Sequence, residues 1–183
     1  MLLPPLDQET GWLPCGRYHS GLDELHTRFV AAEAYAAGSR RKELWSQWEQ
    51  HRILMDTFTG GIERAWLAGS FVTSKLEPSD IDLVYLLPAK EYDRLEAEDF
   101  GYLDQLTDPQ WCREQGMYID AFLLRVPGES EFWRLTPESL SDADRSSFLR
   151  LGIYDEIWQR ARNGTQVNTH KAADRRGYVE VQL

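Results

Sequence analysis

The chain has 183 residues, of which 42% are hydrophobic, and a formal net charge of −10. These values are typical of one domain with a substantial core, and the acidic balance argues against a general nucleic-acid binder, which needs a basic face to meet phosphates. Cys15 and Cys112 are too few for a disulfide framework, the opening residues do not follow the pattern of a signal peptide, and no apolar run approaches the roughly 20 residues of a membrane span. We therefore expect a cytoplasmic protein with free thiols and no membrane partner.

The first third of the chain is predicted to be helical. Prolines and glycines in residues 1–18 indicate an irregular start, after which Ser20 is expected to cap a helix that reaches about Ala36. Ser39 is expected to cap a longer helix that ends near Phe58, before a Gly-Gly pair. The apolar stripe of this longer helix, predicted to be buried, comprises Leu44, Trp45, Trp48, Ile53, Leu54 and Met55.

Strands and shorter helices are predicted in the remainder. Strands are expected at 62–68, 81–87, 117–126 and 178–183, and the alternation in the last of them favours the edge of a sheet. The segment 89–115 is acidic and is expected to be helical and loop-like, broken by Pro109. After residue 127 the pattern is helical and irregular, and its predicted apolar contacts are Trp133, Phe148, Leu149, Ile153 and Trp158.

This order of elements predicts an α+β (mixed α/β) fold, with a small mixed sheet packed by helices. We expect a single domain over residues 1–183. Its predicted parts are a core at about 40–126, an N-terminal helical arm at 1–38 and a helical and strand extension at 127–183.

Three aspartates interrupt the apolar strands. Asp80 and Asp82 lie two residues apart at the start of one predicted strand, so their side chains point to the same side. Asp120 lies within the next apolar strand, and if the two strands are neighbours, all three carboxylates meet. Oxygen ligands of this kind suit magnesium, which binds through one or two carboxylates together with substrate phosphates. The alternatives are turn chemistry for the first pair and an edge position or ion pair for Asp120.

A candidate phosphate-binding turn precedes these acids in the sequence. Gly69 and Ser70 follow a predicted strand and open a short helical turn over 71–75, where backbone N–H groups are free to hold phosphate oxygens. Lys75 offers a positive charge to the same phosphates. The alternatives are an ordinary strand-to-helix turn for the Gly-Ser pair and a solvated surface lysine for Lys75.

The motifs "LAGS", "SDIDLV" and "YIDAF" together resemble the nucleotidyltransferase superfamily, which includes DNA polymerase β, the aminoglycoside nucleotidyltransferases and small stand-alone "minimal" members. The resemblance covers about residues 60–126. It implies two magnesium ions held by Asp80, Asp82 and Asp120, with Asp120 helping to take the acceptor's proton, and phosphates held by Gly69 and Ser70. Many small members follow Gly-Ser with arginine and another glycine, whereas this chain has "FVTSK", so Lys75 is the expected substitute. The segments "LPCGRYHSGLDELHTRFV" and "RRGYVEV" are also similar to a group of uncharacterised bacterial and phage-associated domains.

The resemblance implies transfer of a nucleoside monophosphate from a nucleoside triphosphate, with ATP as the expected donor, to a protein, RNA or small-molecule hydroxyl. By analogy with small relatives, one setting is a toxin–antitoxin or phage-defence system. The alternative is a non-catalytic module that keeps the fold and binds a nucleotide or a partner. No P-loop and no dinucleotide-binding glycine motif occurs.

Histidines and tryptophans are assigned no part in this chemistry. His19, His26, His51 and His170 lack metal-binding spacing, and Trp45, Trp48, Trp133 and Trp158 are interpreted as core. A basic cluster at 170–176 fits either an acceptor contact or a solvated loop.

Overall fold

A computed structural model describes residues 3–35, 38–128, 135–163, 166–167 and 175–183. Ala36, Trp133, His170 and Lys171, which carry predictions above, lie outside the described residues. The six α-helices within the described ranges are α1 (Leu22–Phe29), α2 (Arg40–Thr59), α3 (Ala89–Tyr92), α4 (Ala97–Leu106), α5 (Pro109–Glu114) and α6 (Asp142–Trp158). None of the helices in this described part is both long and apolar enough to cross a membrane.

One mixed sheet of five strands organises the fold, with the strand order β1-β7-β2-β3-β4. Its strands are β1 (Arg17–Gly21), β2 (Arg64–Ala68), β3 (Ile81–Pro88), β4 (Ile119–Val126) and β7 (Tyr178–Gln182). Two short strands, β5 (Arg162–Asn163) and β6 (Gln166–Val167), pair antiparallel in a separate two-stranded sheet. The pairs β1–β7 and β3–β4 are parallel, and β2 is antiparallel to both β3 and β7. The predicted fold class is therefore confirmed.

The two faces of the sheet are packed differently, because side chains alternate along each strand. One face, here called the Leu83 face, joins the larger apolar cluster through Ile81, Leu83, Tyr85 and Leu87, and helices α1, α2, α4 and α5 pack on it. The opposite face, here called the Asp82 face, carries a smaller cluster around Trp66, Val84 and Leu86, covered in part by α6.

One helix-cap prediction and one strand prediction need correction. Ser20 does not cap a helix but lies in β1, and Gly21 occupies the N-cap position of α1 without a side-chain hydrogen bond. The last strand is not at an edge: β7 lies between β1 and β2. Both errors have one cause, since the parallel partner of the last strand is a five-residue segment at the other end of the chain that local pattern does not identify.

Some predicted apolar contacts are absent. Ile53 and Leu54 on α2 are exposed, as are Leu149 and Ile153 on α6, whereas Leu44, Trp45, Trp48 and Met55 are buried. The predicted stripe was too wide for one helix face, and polar residues occupy the buried positions instead, as described below for Arg41 and His51. The helical segment is interrupted just before Pro109, as predicted: α4 ends at Leu106, and the proline begins α5, where its missing N–H has no helical partner to lose.

Candidate active site

Three strand ends meet where the sequence predicts the site. Ala68, the last residue of β2, lies opposite Asp82 on β3, and Asp82 lies beside Asp120 on β4. Neighbouring strands are about 4.8 Å apart, and directly paired residues of parallel strands project from the same face. The structure therefore brings Asp82 and Asp120 together, half-buried, at the end of the Asp82 face where the Gly69-Ser70 turn begins.

Gly69 makes the closest approach to the acids. Its φ is +70°, and a Cβ atom built on it would lie 1.6 Å from Oδ2 of Asp82. A side chain at this position would be strained by the backbone and would also displace the carboxylate. The glycine is thus required for the Asp82 carboxylate to rest against the turn that follows β2.

Asp80 lies just before β3 and is half-buried. Its Oδ1 accepts a hydrogen bond of 3.0 Å from the Ser79 hydroxyl, a local contact of the kind that turn chemistry predicts. Among the described residues, no group of three or more histidine, cysteine, aspartate or glutamate side chains is arranged to hold a metal ion. The chemistry of the three carboxylates still suits a hard cation.

The Gly-Ser turn is a single 3₁₀ turn, Gly69–Val72, too short for a substantial helix dipole. The carbonyl of Ser70 accepts a hydrogen bond of 2.8 Å from the Thr73 hydroxyl. Lys75 is exposed, and its carbonyl oxygen accepts a hydrogen bond. The phosphate-binding roles of Gly69, Ser70 and Lys75 stay predictions.

Arg41, which sequence reasoning missed, holds the segment that follows this turn. Its side chain is almost fully buried, with 1% of the residue exposed. The guanidinium donates to four backbone carbonyl oxygens, those of Phe29 (2.8 Å), Phe71 (2.7 Å), Thr73 (2.9 Å) and Lys75 (2.5 Å). Because three of the four acceptors lie in residues 71–75, the arginine ties this segment to α2.

The burial of Arg41 lowers its pKa by desolvation, and the ring of Tyr35, 4.0 Å from the guanidinium carbon, opposes this effect. An arginine stays protonated even so. Arg41 lies three, four and seven residues before the buried Leu44, Trp45 and Trp48, so a cation within the apolar stripe was the signal that could have identified it.

Arg40 holds the other end of the same loop. It donates to the carbonyl oxygens of Ser79 at 2.5 Å and Pro78 at 3.4 Å. Its guanidinium carbon lies 4.4 Å from the ring centre of Tyr118. Two consecutive arginines at the start of α2 therefore fix the loop between the Gly-Ser turn and Asp80.

Helix α6 contributes aromatic groups near Asp120. The rings of Phe122 and Tyr154 lie 5.0 Å apart, and Trp158 packs against both. Burial raises the pKa of Tyr154, Arg150 opposes the rise and the charge of Asp120 adds to it. A tyrosine hydroxyl that stays protonated thus lies within electrostatic range of the third acid.

The remaining predicted residues lie away from the acids or outside the described ranges. His51 is fully buried, and its ring nitrogens contact the Tyr85 hydroxyl at 2.9 Å and the Leu106 carbonyl oxygen at 2.8 Å. Since a carbonyl only accepts, Nε2 carries the proton. Within the basic cluster, Arg175 pairs with Glu156 at 2.8 Å.

Comparison with curated proteins finds no match, and comparison with solved structures finds none either. A protein-family profile matches residues 4–182, and its description is "Family of unknown function (DUF6932)". Because the match spans nearly the whole described fold, from before β1 to the end of β7, the chain belongs to the DUF6932 family.

Proposed function

We propose that this protein is a magnesium-dependent nucleotidyltransferase of the cytoplasm. It transfers a nucleoside monophosphate from a nucleoside triphosphate, with ATP as the expected donor, to a hydroxyl group of a protein, an RNA or a small molecule. A toxin–antitoxin or phage-defence system is the biological setting that we propose by analogy with small relatives.

The observation that carries the proposal is the register of three neighbouring strands. Asp82 is paired with Asp120 on one side and with the end of the strand before Gly69 on the other. The carboxylate of Asp82 occupies the space that any side chain at position 69 would need. Two acids and a glycine turn at one sheet end suit phosphate chemistry with a hard cation, because magnesium binds through one or two carboxylates together with substrate phosphates.

In the proposed mechanism, Asp80, Asp82 and Asp120 would hold two magnesium ions. Magnesium, when bound, neutralises charge on the triphosphate and lowers the pKa of the acceptor hydroxyl. Asp120 receives the proton of that hydroxyl. Ser70 donates its hydroxyl hydrogen to the phosphates that leave, and Lys75 adds a positive charge to them.

The reaction forms one bond and breaks one. The acceptor oxygen bonds to the α-phosphorus, and the bond between that phosphorus and the oxygen bridging to the β-phosphate breaks, which releases pyrophosphate. The contribution of the fold is to hold the acids and the phosphate turn in place before the substrate arrives. Arg40 and Arg41 serve this by fixing both ends of the intervening loop.

The test is transfer of label from nucleoside triphosphates carrying a radioactive α-phosphate. Purified protein, magnesium and each of the four triphosphates are incubated with cell extract separated into protein, RNA and small molecules, and released pyrophosphate is measured in parallel. We expect Asp82→Asn to lower transfer by more than about 100-fold, because loss of a group that only orients a metal ligand already costs about 10- to 100-fold.

The matched control is Asp104→Asn, the same substitution at an exposed position of α4, a helix that packs on the Leu83 face. It is expected to retain full transfer. Wild-type rates in Asp82→Asn would reject the assignment of the acids.

A second candidate function is a non-catalytic module that binds a nucleotide or a partner. It is favoured by the observation that no cluster of three metal-binding side chains is formed within the described ranges. Calorimetry with a nonhydrolysable triphosphate separates the two functions. Binding that depends on Asp82, without pyrophosphate release from any triphosphate, would support the module.

A further inference from the structure

A cavity of about 420 Å³ opens on the Asp82 face, at the opposite end of the sheet from the acids. Its polar wall includes Arg17, His19, Arg64 and Glu180, and Trp66 lies beside them. Arg64 is paired with Leu86, whereas Ala68 at the other end of the same strand is paired with Asp82. The four residue steps from Asp82 to Leu86 span roughly 13 Å along the strand, so the cavity is separate from the candidate active site.

Glu180 forms the buried base of this cavity, with only 7% of its side chain exposed. Its carboxylate accepts a hydrogen bond of 2.8 Å from Trp66 Nε1 and one of 3.3 Å from Arg64 Nη1. Arg17 Nε lies 3.6 Å from the same carboxylate, and His19 Nδ1 lies 3.4 Å from it. One buried carboxylate thus gathers two guanidinium groups on the cavity wall.

Both acids of the cavity wall already accept two hydrogen bonds each, and each arginine has more N–H donors than its contacts with Glu180 use. A carboxylate has about four acceptor positions, and an arginine has five N–H donors. The second acid of the wall, Asp155, accepts hydrogen bonds from the Tyr178 hydroxyl and from Gln159 Nε2. Arg17 and Arg64 line the cavity and keep 44% and 41% of their side chains exposed, so both arginines are accessible to a solute. A ligand here meets donors and therefore has to bring acceptors.

The other wall of the cavity is apolar. It is built from Leu86 and Val126 of the sheet and from Phe148 and Leu151 of α6. Small-molecule sites are commonly clefts of about 300–1,000 Å³ that combine apolar walls with a few polar groups. The cavity has this size and this division of chemistry.

We infer that this cavity binds a small organic anion. The phosphate or carboxylate group of the ligand contacts Arg17 and Arg64, and its apolar or aromatic body lies between the sheet and α6. Planar guanidinium groups bind both kinds of anion through paired hydrogen bonds, and these charge-assisted bonds are among the stronger ones in proteins. The inference does not depend on the proposed function, since it involves neither the acids nor a metal.

The experiment uses the full chain, without magnesium or nucleotide, at constant ionic strength. Phenyl phosphate, benzoate and the uncharged benzyl alcohol are titrated separately while ligand NMR signals are recorded. We expect phenyl phosphate, benzoate or both to bind, and benzyl alcohol to bind at least about tenfold more weakly than the better anion. The first two probes distinguish a phosphate site from a carboxylate site.

Four variants locate the binding. Arg64→Gln and Arg17→Gln are expected to weaken anion binding about tenfold, with circular dichroism to confirm that each variant is folded. Arg113→Gln removes the same charge from an exposed position on α5, and Asp82→Asn alters the candidate active site. Both are expected to bind as the wild type does.

Three outcomes would overturn the inference: neither anion binds the wild type, Arg64→Gln and Arg17→Gln fold and bind as tightly as Arg113→Gln, or Asp82→Asn loses the binding. The last outcome would place the bound anion at the candidate active site instead of in this cavity. Failure of nucleotidyl transfer would leave all of these measurements unchanged.

Discussion

The Leu83 face and the Asp82 face of the sheet differ in what packs against them. On the Leu83 face, four helices cover Ile81, Leu83, Tyr85 and Leu87, and three of these four residues are fully hydrophobic side chains. On the Asp82 face, α6 covers only part of the sheet, and half-buried acids lie at one end of that face while half-exposed arginines lie at the other.

The two faces therefore contribute differently to the stability of the fold. Burial of apolar side chains stabilises a protein by about 25 cal/mol per Å² removed from water, so the Leu83 face supplies most of the stability of the sheet. Charged side chains gain little from such packing and are costly when buried without partners. Asp82 and Asp120 are tolerated on the Asp82 face because that face is only partly covered. Glu180, which is buried there, accepts hydrogen bonds from Trp66 and Arg64.

The largest expected effect compares two adjacent residues of β3 that project to opposite faces. Leu83 is fully buried, and we expect Leu83→Ala to lower the free energy of unfolding by about 2–5 kcal/mol, because the substitution leaves a cavity in the core. Asp82→Asn keeps the size and one oxygen acceptor of the side chain, so its expected cost is about 1 kcal/mol or less. Urea denaturation measures both, and equal losses would refute the division between the faces.

The next effect compares two glycines with nearly the same backbone conformation. Gly69 and Gly60 have φ of +70° and +74°, but a Cβ at Gly60 would meet nothing within 4 Å, whereas one at Gly69 would meet Asp82. Gly60→Ala carries only the cost of the left-handed conformation, about 1–2 kcal/mol. We expect Gly69→Ala to cost about 1–3 kcal/mol more, because the added methyl group overpacks the site.

The same pair of glycine variants tests the chemistry of the Asp82 face. If the protein transfers nucleotides as proposed, Gly69→Ala loses that activity together with its Asp82 geometry, and Gly60→Ala retains it. Denaturation curves and label transfer are measured on the same preparations. Equal stability of the two variants would show that the Asp82 carboxylate moves aside at little cost.

The smallest effect is a pH dependence that arises on the Leu83 face. Burial lowers the pKa of His51 from the ordinary value of 6.5, and the hydrogen bond to Leu106 opposes this only in part. The unfolded chain therefore binds a proton more readily than the folded chain. The contribution of neutral His51 to the free energy of unfolding is fully present above pH 6.5. It decreases as the pH falls below that value, by at most about 1.4 kcal/mol per pH unit.

Unfolding free energies of the wild type and of His51→Gln between pH 5 and pH 8 measure this contribution. The difference between the two proteins is expected to shrink as the pH falls. Hydrogen bonds from Arg125 lower the pKa values of Asp93 and Asp144 from 3.8. Protonation of these two carboxylates therefore lowers the free energy of unfolding only near pH 3.8 and below, outside the range from pH 5 to pH 8. A difference that is constant between pH 5 and pH 8 would show that His51 does not titrate on unfolding.

Sequence pattern was sufficient where a segment is long and its environment is local. The helix α2, with Gly60 ending it in a left-handed conformation, and the strands β3 and β4 follow closely from periodicity and from turn residues. Asp82 and Asp120 could be identified because a carboxylate in an apolar strand is costly to bury unless a cation or hydrogen-bond donors compensate it. Their pairing depended on one further condition, that the two strands are neighbours, and β3 and β4 meet it.

Pattern failed where a residue's environment is made by distant parts of the chain. Arg41 was missed because its acceptors are backbone carbonyls of residues 29 and 71–75, which any sequence provides. The cavity at Glu180 was missed because it takes side chains from β1, β2, β7 and α6, which are far apart in sequence.

The amino-acid sequence by itself determined the fold class, the main helix and strands and the three acids with their glycine turn, because periodicity, turn chemistry and the cost of a buried charge act over a few neighbouring residues. Only the tertiary structure decided that β7 lies inside the sheet, that Asp82 is beside Asp120 and that Arg41 and Glu180 are buried with their partners. These features depend on which strands pair and which face each helix covers, and contacts between distant segments set both.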